Sequence, residues 1–479
     1  MTPTPISLTI ETPARNWAGS SLVLRRQIGQ FANGTVTVQP ITDSGKLTGE
    51  EVRNFATSLN TYIRTRAANL QRDIRINLTV GNTTQEISGF LTGCSVATSA
   101  ASAATTFDLN FVETNLPLNS MSLGCYRIPP TPTDSAAAGG AAEMPFYGVF
   151  SDIKGTLGQR IGQIYRRAQE AHVSIPSDPF DEVMERQRTL NTSFEFAFAQ
   201  VLLNSNWNLP WLAEEWLSRP GMSENINAFL AQNLISQATL WQALLNIART
   251  FHLEYRGDPN GIFGPGGFGL VDPGEAITHD LSKDPVSEFA FQVGSNMEQP
   301  LSQVIVTLSR SSGDSKADRG GDSAAVASVA DTPVPAAVFP PEPFPALGKT
   351  LILRAPSFMV APFPRQEPNQ KDEDIDTPTV RESIAQAVQA DEVRQDLQSE
   401  FSKGPLTQWA RSMFIRESTR HLSATIAKPL ELGSLILGAR TKVSGSTNGV
   451  VQAVTINVQV AQNSGHASLT AVCTNLIDA

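Results

Sequence analysis

The stretch 429–472 reads PLELGSLILGARTKVSGSTNGVVQAVTINVQVAQNSGHASLTAV, and it repeats the features of the stretch 76–113, INLTVGNTTQEISGFLTGCSVATSAASAATTFDLNFVE. Each has a short apolar strand, a polar turn, a glycine (Gly89 or Gly449), an alternating strand, a small-residue turn and a returning strand. Alternation predicts antiparallel strands with one face in a core. The alternating residues are Phe107, Leu109 and Phe111 in the first stretch and Val450, Val454, Ile456, Val458 and Val460 in the second. Two similar β-barrels in one chain suggest a part of an assembly rather than an enzyme.

Length and composition set the scale of the fold. At 479 residues the chain is longer than one usual core, so about two to four domains are expected. Hydrophobic residues make up 41% of the chain, which is enough for folding, whereas charged residues make up 17%, against roughly 25% in an average soluble protein. Low charge fits extended β surfaces buried between subunits, where unpaired charges are costly. A weakly stabilised or partly disordered chain is the alternative interpretation.

Charge and cysteine content exclude several classes of function. The net charge of −10 argues against direct nucleic-acid binding, which needs lysine and arginine to neutralise phosphates, although DNA can slide past an acidic surface. No apolar run approaches the roughly 20 residues that span a bilayer, and the N-terminus lacks the features of a signal peptide. Cys94, Cys125 and Cys473 have no metal-ligand spacing and are interpreted as buried thiols of a protein made in a reducing cytoplasm.

The first half of the chain predicts a barrel followed by helices. Residues 1–127 predict a first β-barrel domain with one helix, which begins at a capping box, Thr48–Glu51, where hydroxyl and carboxylate satisfy each other's backbone amides. Residues 128–145 are rich in Pro, Gly and Ala and predict a flexible linker. Residues 146–285 predict a mainly helical middle domain with a Gly-rich hairpin.

The second half predicts a barrel that is discontinuous in sequence. The second β-barrel domain is expected to combine 286–310, 350–362 and 428–479. Residues 311–349 predict a mobile Ser/Ala/Pro-rich loop. Residues 363–427 predict an acidic loop and helices, the helices at about 380–401 and 406–427. The fold class is therefore α+β, with two tube-like antiparallel β-barrels, a helical middle domain and long loops.

No motif assigns a catalytic, cofactor-binding or metal-ligating residue. Gly264–Gly269 formally satisfies the dinucleotide-binding pattern, but Pro265 and the following LVDPG cannot open the helix that such a site needs. A second candidate, a calcium loop, would lack its glycine and terminal glutamate; its carboxylates are Asp372, Glu373, Asp374 and Asp376. A turn-rich loop and a solvated loop are the preferred interpretations.

Other catalytic arrangements are equally weak. The histidines stand singly, without ligand spacing; they are His172, His252, His279, His421 and His466. Glu214 and Glu215, beside tryptophans, are the best candidates for paired carboxylates, but the polar face of a helix explains them better. We therefore expect no catalytic site, no metal and no cofactor.

Three passages resemble the central hub proteins of phage tails and baseplates, a family related to the base of type VI secretion spikes. Residues 80–115 resemble the first barrel of hubs. Residues 239–264, TLWQALLNIARTFHLEYRGDPNGIFG, are similar to a helix-then-strand passage in the middle of hubs, and 428–476 resemble the closing barrel. The likeness covers most of the chain in order, whereas 128–145, 311–348 and 363–378 depart from it.

The resemblance implies a structural component of the virion, located at the tail tip or baseplate and assembled in the bacterial cytoplasm. It implies a homotrimer whose six barrels form a ring, joining a six-fold tail tube to a three-fold spike. The implied partners are a tail tube or distal tail protein, a tail spike or tip protein and the tape measure protein. DNA would pass through the lumen without specific binding, and no membrane insertion is expected.

Two other functions remain as alternatives. One is a tail-associated peptidoglycan hydrolase, with the helical residues 146–255 as its catalytic domain and Glu214 as the residue to test. The other is a different virion tail protein, such as a distal-tail or tube-related component, which is expected in six copies rather than three.

Overall fold

The computed structural model is mostly β-sheet, with several helices. It describes residues 5–13, 16–40, 48–69, 74–98, 105–113, 116–119, 150, 152–173, 198–199, 201–203, 205–207, 209, 217–218, 222–236, 239–257, 267–271, 277–284, 288–293, 301–309, 333–343, 348–355, 405–418, 422–432, 437–461 and 464–478.

Strands and helices alternate along the chain in blocks. The strands are β1 (Ile6–Glu11), β2 (Asn16–Gln27), β3 (Asn33–Pro40), β4 (Ile74–Val80), β5 (Thr83–Thr98), β6 (Thr105–Glu113), β7 (Leu253–Tyr255), β8 (Phe268–Leu270), β9 (His279–Asp280), β10 (Glu288–Val293), β11 (Leu301–Ser309), β12 (Pro333–Phe339), β13 (Lys349–Arg354), β14 (Leu422–Pro429), β15 (Arg440–Ser444), β16 (Thr447–Ala461) and β17 (Ser464–Asp478). The α-helices are α1 (Gly49–Asn69), α2 (Leu157–Val173), α3 (Met222–Ser236), α4 (Leu240–Thr250) and α5 (Pro405–Ser418).

The first six strands pair in a closed ring. Their order is β1-β4-β5-β6-β3-β2, and β1 also pairs with β2, so every strand has two neighbours. Three aromatic rings fill the interior: Trp17 lies 4.7 Å from Phe55 and 5.1 Å from Phe107, between ring centroids. Phe55 belongs to α1, so the helix packs against the ring of strands. An edge-to-face packing of this kind stabilises a core beyond its buried area.

The predicted capping box at the start of α1 is confirmed. The Glu51 carboxylate accepts a hydrogen bond from the Thr48 backbone N–H at 2.8 Å, and the Thr48 hydroxyl accepts one from the Glu51 N–H at 3.2 Å. Two backbone donors that the helix itself cannot satisfy are thereby satisfied.

The C-terminal strands form a second, open set. The order is β9-β15-β16-β17-β14-β10, and among the described pairings β9 and β10 do not pair with each other. Because β16 also pairs with β2, both sets belong to one twelve-stranded sheet and share one apolar core.

The helices form a second core. Helices α2, α3 and α4 pack with the β7–β8 hairpin, and the three-stranded sheet β12-β11-β13 and α5 join the same apolar cluster. Arg160, at 0% exposure, lies at the centre of the helices. Its guanidinium donates hydrogen bonds to the Gly155 carbonyl (2.8 Å), the Leu217 carbonyl (3.1 Å) and the Asn227 side-chain oxygen (2.9 Å).

The strand pairing corrects the predicted composition of the second barrel. The prediction grouped 286–310 and 350–362 with 428–479, but only β10 joins the C-terminal strands, and the pairings give an open sheet. Strands β11 and β13 lie side by side, in parallel, in the separate three-stranded sheet. Alternation shows that a segment is a strand, but it does not show which strand is its neighbour.

Two further predictions are corrected. Residues 311–349 were predicted as a loop, yet 333–339 form β12, which pairs with β11. The helix predicted at 406–427 ends at Ser418, and Leu422–Pro429 form β14. The buried apolar residues of this strand alternate along it and lie opposite buried residues of β17. Strand pairing therefore overrides helical propensity here. The predicted linker 128–145 and helix 380–401 lie outside the described residues.

Replacement of Arg160 tests the helical core. We expect Arg160→Met to lower the free energy of unfolding by roughly 3 kcal/mol, because buried carbonyl acceptors lose charge-assisted hydrogen bonds. Urea denaturation followed by tryptophan fluorescence measures the change. Arg166→Met, on the exposed side of the same helix, is the matched control and is expected to change stability little. Equal effects of the two substitutions would contradict this role.

Candidate assembly surface

The two sets of strands have the same neighbour order. We call β1–β6 the first module and β9, β10 and β14–β17 the second module. Reading each from one end gives β1-β4-β5-β6-β3-β2 and β9-β15-β16-β17-β14-β10, so that chain order and spatial order match strand for strand. The central hairpins also match, because both turn at a glycine with positive φ, Gly81 (62°) and Gly445 (51°).

A β-bulge allows the modules to join. The N-terminal part of β16 pairs with β15, and its pairing with β17 shifts register between Val451 and Ala453. Beyond this shift β16 pairs with β2, antiparallel, from Ala453 opposite Gln27 to Gln459 opposite Ser21. We call this pairing the internal seam. A bulge bends a strand and redirects its hydrogen bonds, so one strand serves two neighbours.

Apolar side chains bury the internal seam. Leu22 lies opposite Val458 and Leu24 lies opposite Ile456. All four side chains are at most 3% exposed. At the bulge, the carbonyl of Gln452 accepts a hydrogen bond from the Ile28 N–H at 3.0 Å. The seam therefore has both a backbone ladder and a dry face.

Two arginines lie where the modules meet the β7–β8 hairpin. Arg26 of β2 is 3% exposed and packs against Gly257, whose φ is 105°. A Cβ at Gly257 would lie 1.8 Å from the Arg26 Nη2 atom. Arg256 packs between Gly269 and Gly438 and donates a hydrogen bond to the Leu270 carbonyl. Glycines thus leave the space that these guanidinium groups occupy.

A carboxylate ties the hairpin to the first module. Glu113, 5% exposed at the end of β6, accepts hydrogen bonds from the Ala32 backbone N–H at 3.0 Å and from the Tyr255 hydroxyl. The Tyr255 carbonyl accepts a hydrogen bond from the Gly29 N–H at 2.8 Å. A burial this deep is tolerated because the charged oxygens are hydrogen-bonded.

An ion pair replaces apolar packing inside the second module. Lys428 of β14, with a side chain 1% exposed, pairs with Asp284, whose carboxylate also lies 2.9 Å from the His279 Nε2 atom. Burial alone would raise the pKa of Asp284, but hydrogen bonds from His279 and Lys428 and the charge of Lys428 hold it below its ordinary value. His279 begins β9 and Asp284 precedes β10. These contacts therefore attach the segment that connects β9 to β10 to Lys428 of β14.

Exposed strand edges remain at both ends of the joined modules. In the described pairings β10 has β14 as its single neighbour, and the part of β5 after the register shift, Gly93–Thr98, has β6 as its single neighbour. The β10 edge exposes Phe289 (47%) and Phe291 (53%), whereas this outer half of β5, Gly93–Thr98, exposes Val96 (39%). Open apolar edges invite pairing with another chain.

The structure describes the surroundings of three titratable residues singled out in the sequence, His252, Cys473 and Cys94. His252, half-buried with φ 57°, packs with its ring centroid 5.1 Å from that of Trp409, and desolvation, then the Arg416 charge, lowers its pKa to about 4. Cys473 is buried, and desolvation raises its pKa to about 12, whereas Cys94 is half-buried. Thiols with a raised pKa are poor nucleophiles.

Other predicted positions fall on strands or outside the described part. Gly269 lies in the β8 strand, so no helix begins there. The carboxylates Glu214 and Glu215, the acidic cluster 372–376 and Cys125 lie outside the described residues. In the described part of the chain no group of three His, Cys, Asp or Glu side chains could hold a metal ion, and no described helix is long and apolar enough to cross a membrane.

Sequence reasoning missed the features that matter most for assembly. The twin hairpins were recognised, but the pairing of β2 with β16 and the open edge of β10 were not. The sequence EFAFQV of β10 carried a signal of an exposed edge, since two aromatic residues share one face of a short strand that begins at Glu288. A long-range pairing leaves no local pattern, because each strand alternates in the same way whichever strand it joins.

Comparisons with known proteins find similarity to solved structures of tail proteins, at low sequence identity. No family description and no curated protein matches the sequence. Among solved structures, a tail protein from Neisseria meningitidis is similar at 8% identity and a TM-score of 0.41, over 98% of this chain and 96% of that one. A 43 kDa prophage MuSo2 tail protein from Shewanella oneidensis is similar at 8% identity and a TM-score of 0.39, over 98% and 97%.

A third solved structure is an E. coli component of the type VI secretion system, described as structurally similar to T4 bacteriophage tail proteins. It has 7% identity and a TM-score of 0.32, over 98% of this chain and 76% of that one. The resemblance to phage tail proteins predicted from the sequence is thus confirmed as a similarity. At this level of similarity, the function of this chain has to be inferred from its own geometry.

A glycine substitution tests the junction between the modules and the hairpin. We expect Gly257→Ala to lower the free energy of unfolding by roughly 3 kcal/mol, because it adds a clash with Arg26 to the strain of a positive φ. Gly29→Ala is the matched control: φ is 81° there, but no atom lies within 4 Å of the added carbon, so about 1 kcal/mol is expected. Chemical denaturation measures both. Equal losses would show that Arg26 does not constrain Gly257.

Neutralisation of Asp284 tests the ion pair. We expect Asp284→Asn to destabilise the protein at pH 7 by roughly 2–3 kcal/mol, because Lys428 stays buried with a distant partner, Glu431, at 3.9 Å. Since the folded pKa of Asp284 lies below the ordinary 3.8, its contribution is complete above that pH and is lost as the pH falls through the folded pKa. The gap between wild type and variant is therefore expected to narrow in acid. Urea titrations at several pH values measure it.

The exposed carboxylate Glu342 supplies the control for this experiment. Glu342→Gln is expected to leave stability unchanged at every pH. A gap between wild type and Asp284→Asn that stays constant from neutral to acid pH would contradict the ion pair.

Proposed function

We propose that this chain is the central hub of a phage tail tip or baseplate, a structural component that forms a trimeric ring. The observation that supports this proposal is that one chain holds two modules of the same strand order, joined side by side through the internal seam. The edges left open at the far ends of the pair, β10 and the outer half of β5, are the equivalents of β2 and β16, the two strands that pair in the internal seam. A head-to-tail interface between copies then closes into a ring when the rotation permits it.

A ring of three copies resolves a mismatch of symmetry. Three chains with two modules each present six similar modules, which suit a six-fold tail tube above. The two modules of one chain differ in their attached elements, so the ring repeats in full three times and suits a three-fold spike below. The proposed partners are the tail tube or distal tail protein, the spike or tip protein and the tape measure protein.

The composition of the chain fits a DNA passage. The net charge of −10 gives the ring a surface that repels phosphate, so DNA in the lumen meets no specific binding site. The role proposed is structural rather than enzymatic, in the virion at the tail tip, after assembly in the bacterial cytoplasm. It requires neither a cofactor nor insertion into a membrane.

Molar mass and symmetry test the proposal. Size-exclusion chromatography with light scattering is expected to give three times the chain mass of 51.6 kDa, alone or after addition of the tail tube or spike protein. Negative-stain averages of this species are expected to show six peripheral densities with three-fold symmetry.

Other outcomes separate the alternatives. A monomer at high concentration that persists with both partners would contradict the hub, and six copies in the particle would favour a distal-tail or tube-related component. Zymography on purified cell walls tests the hydrolase, and clearance that Glu214→Gln abolishes would show that the chain is an enzyme.

A further inference from the structure

Four strands of each module, β5-β6-β3-β2 and β16-β17-β14-β10, correspond residue by residue, whereas β9 pairs parallel with β15 and β1 pairs antiparallel with β4. In β5 the register with β6 shifts between Leu91 and Gly93, as it shifts in β16 between Val451 and Ala453. Aligning the shifts makes Gly93 equivalent to Ala453. The rows of facing residues are then Gly93–Asn110–Thr35–Val23 in the first module and Ala453–Val472–Thr425–Ala290 in the second.

Burial along the strands agrees with this alignment in which face each residue occupies. Under it, three buried residues of β6 fall on three buried residues of β17, while the residues between them are more exposed in both strands. The buried pairs are Phe107 with Leu469, Leu109 with Ala471 and Phe111 with Cys473. Inner and outer faces therefore coincide in the two modules.

The same alignment gives β2 and β10 different environments. Leu22 and Leu24 of β2 become equivalent to Phe289 and Phe291 of β10. The leucines, at the internal seam with β16, are 0% and 3% exposed, whereas the phenylalanines are 47% and 53% exposed. Large apolar side chains thus occupy equivalent positions, buried in β2, which has β16 beside it, and exposed in β10, which has β14 as its single neighbour in the described pairings.

The other side of the seam shows the same contrast. Ile456, which faces Leu24 across the internal seam, is 0% exposed. Its equivalent in β5 is Val96, which is 39% exposed. In the internal seam these two positions face each other, and in the two unpaired edges both carry an exposed apolar side chain, Phe291 and Val96.

We propose that β10 of one copy pairs, antiparallel, with the outer half of β5 of the next copy, with Phe291 opposite Val96. This proposal rests on the ring of the proposed function and identifies the strands that hold it together. The pairing repeats the geometry of the internal seam, Leu24 opposite Ile456, between chains. We call it the external seam.

A second copy of this chain fits these edges better than another partner. Both edges belong to the chain itself and match in register, direction and side-chain face. The β10 edge is the end of the same continuous sheet that contains the internal seam. Glu288 is the single charged residue of β10, and Gly93–Thr98 has none, so the pairing buries little charge.

Cysteine cross-linking tests the proposed register. In a Cys94→Ala background, the double variant Phe291→Cys/Val96→Cys is expected to form a covalent trimer under mild oxidation, reversed by reductant. An equimolar mixture of the two single variants is expected to stop at the covalent dimer, because each chain then carries one half of the seam. Phe291→Cys/Ala97→Cys is the control: Ala97 points to the opposite face, so at least a tenfold lower yield is expected.

A charge substitution tests the same contact in the unmodified backbone. Phe291→Asp is expected to reduce the molar mass by light scattering from three chains to one, because it buries a charge opposite Val96. Ile352→Asp, at an apolar residue of the three-stranded sheet that is 65% exposed, is expected to leave the trimer intact.

The outcomes separate this proposal from the function on which it rests. A wild-type trimer that neither cross-links at 291 and 96 nor responds to Phe291→Asp would overturn the external seam and leave the hub standing. A wild-type monomer under all conditions would overturn both. A cross-linked trimer in the double variant, with dimer in the mixture, supports both.

Discussion

The pairing of β2 with β16 is the interaction on which the architecture of this chain depends. It turns two sets of six strands into one sheet, and it exists because β16 changes neighbours at the bulge between Val451 and Ala453. Before the bulge β16 pairs with β15 of its own module, and after the bulge it pairs with β2 of the first module. Beyond the bulge Leu22 and Leu24 lie opposite Val458 and Ile456. A change of neighbour within one strand therefore joins two modules that are far apart in sequence.

The modules share an order of strands, but in the described pairings the first is closed and the second is open. The first is closed by hydrogen bonds between β1 and β2, and its interior is apolar, with Val38 and Phe107 fully buried. In the second, Lys428 occupies the position equivalent to Val38 and reaches Asp284. A buried ion pair contributes little net stability compared with apolar packing, but it is specific in geometry. Its effect is to fix the segment before β10, and thereby the edge strand that the proposed ring requires.

The sequence was informative about local structure and weak about long-range pairing. Alternation around Phe107 and Ile456 predicted the strands correctly, and the Thr48–Glu51 pair predicted where α1 begins. Both signals arise within a few residues. The grouping of β11 and β13 with the second barrel was wrong, because two strands of similar alternation are interchangeable until their neighbours are known. The candidate surface was hidden for the same reason: Phe291 is exposed on a strand that has a single neighbour in the described pairings, and no local pattern records how many neighbours a strand has.

Unlike attachments explain why a chain with two similar modules is proposed to give three-fold rather than six-fold symmetry. The first module carries α1 in the connection between β3 and β4. The second carries β11–β13 and α5 between β10 and β14, and the Arg416 carbonyl of α5 accepts a hydrogen bond from Asn475 of β17. In the proposed ring the strands repeat at every module, whereas these attachments repeat at every second one. The approximate six-fold symmetry is then a property of the strands of the modules, and the three-fold symmetry is a property of the helices and strands inserted between them. Every second seam of the proposed ring is the internal seam of one chain. A ring of six modules therefore needs only three contacts between chains.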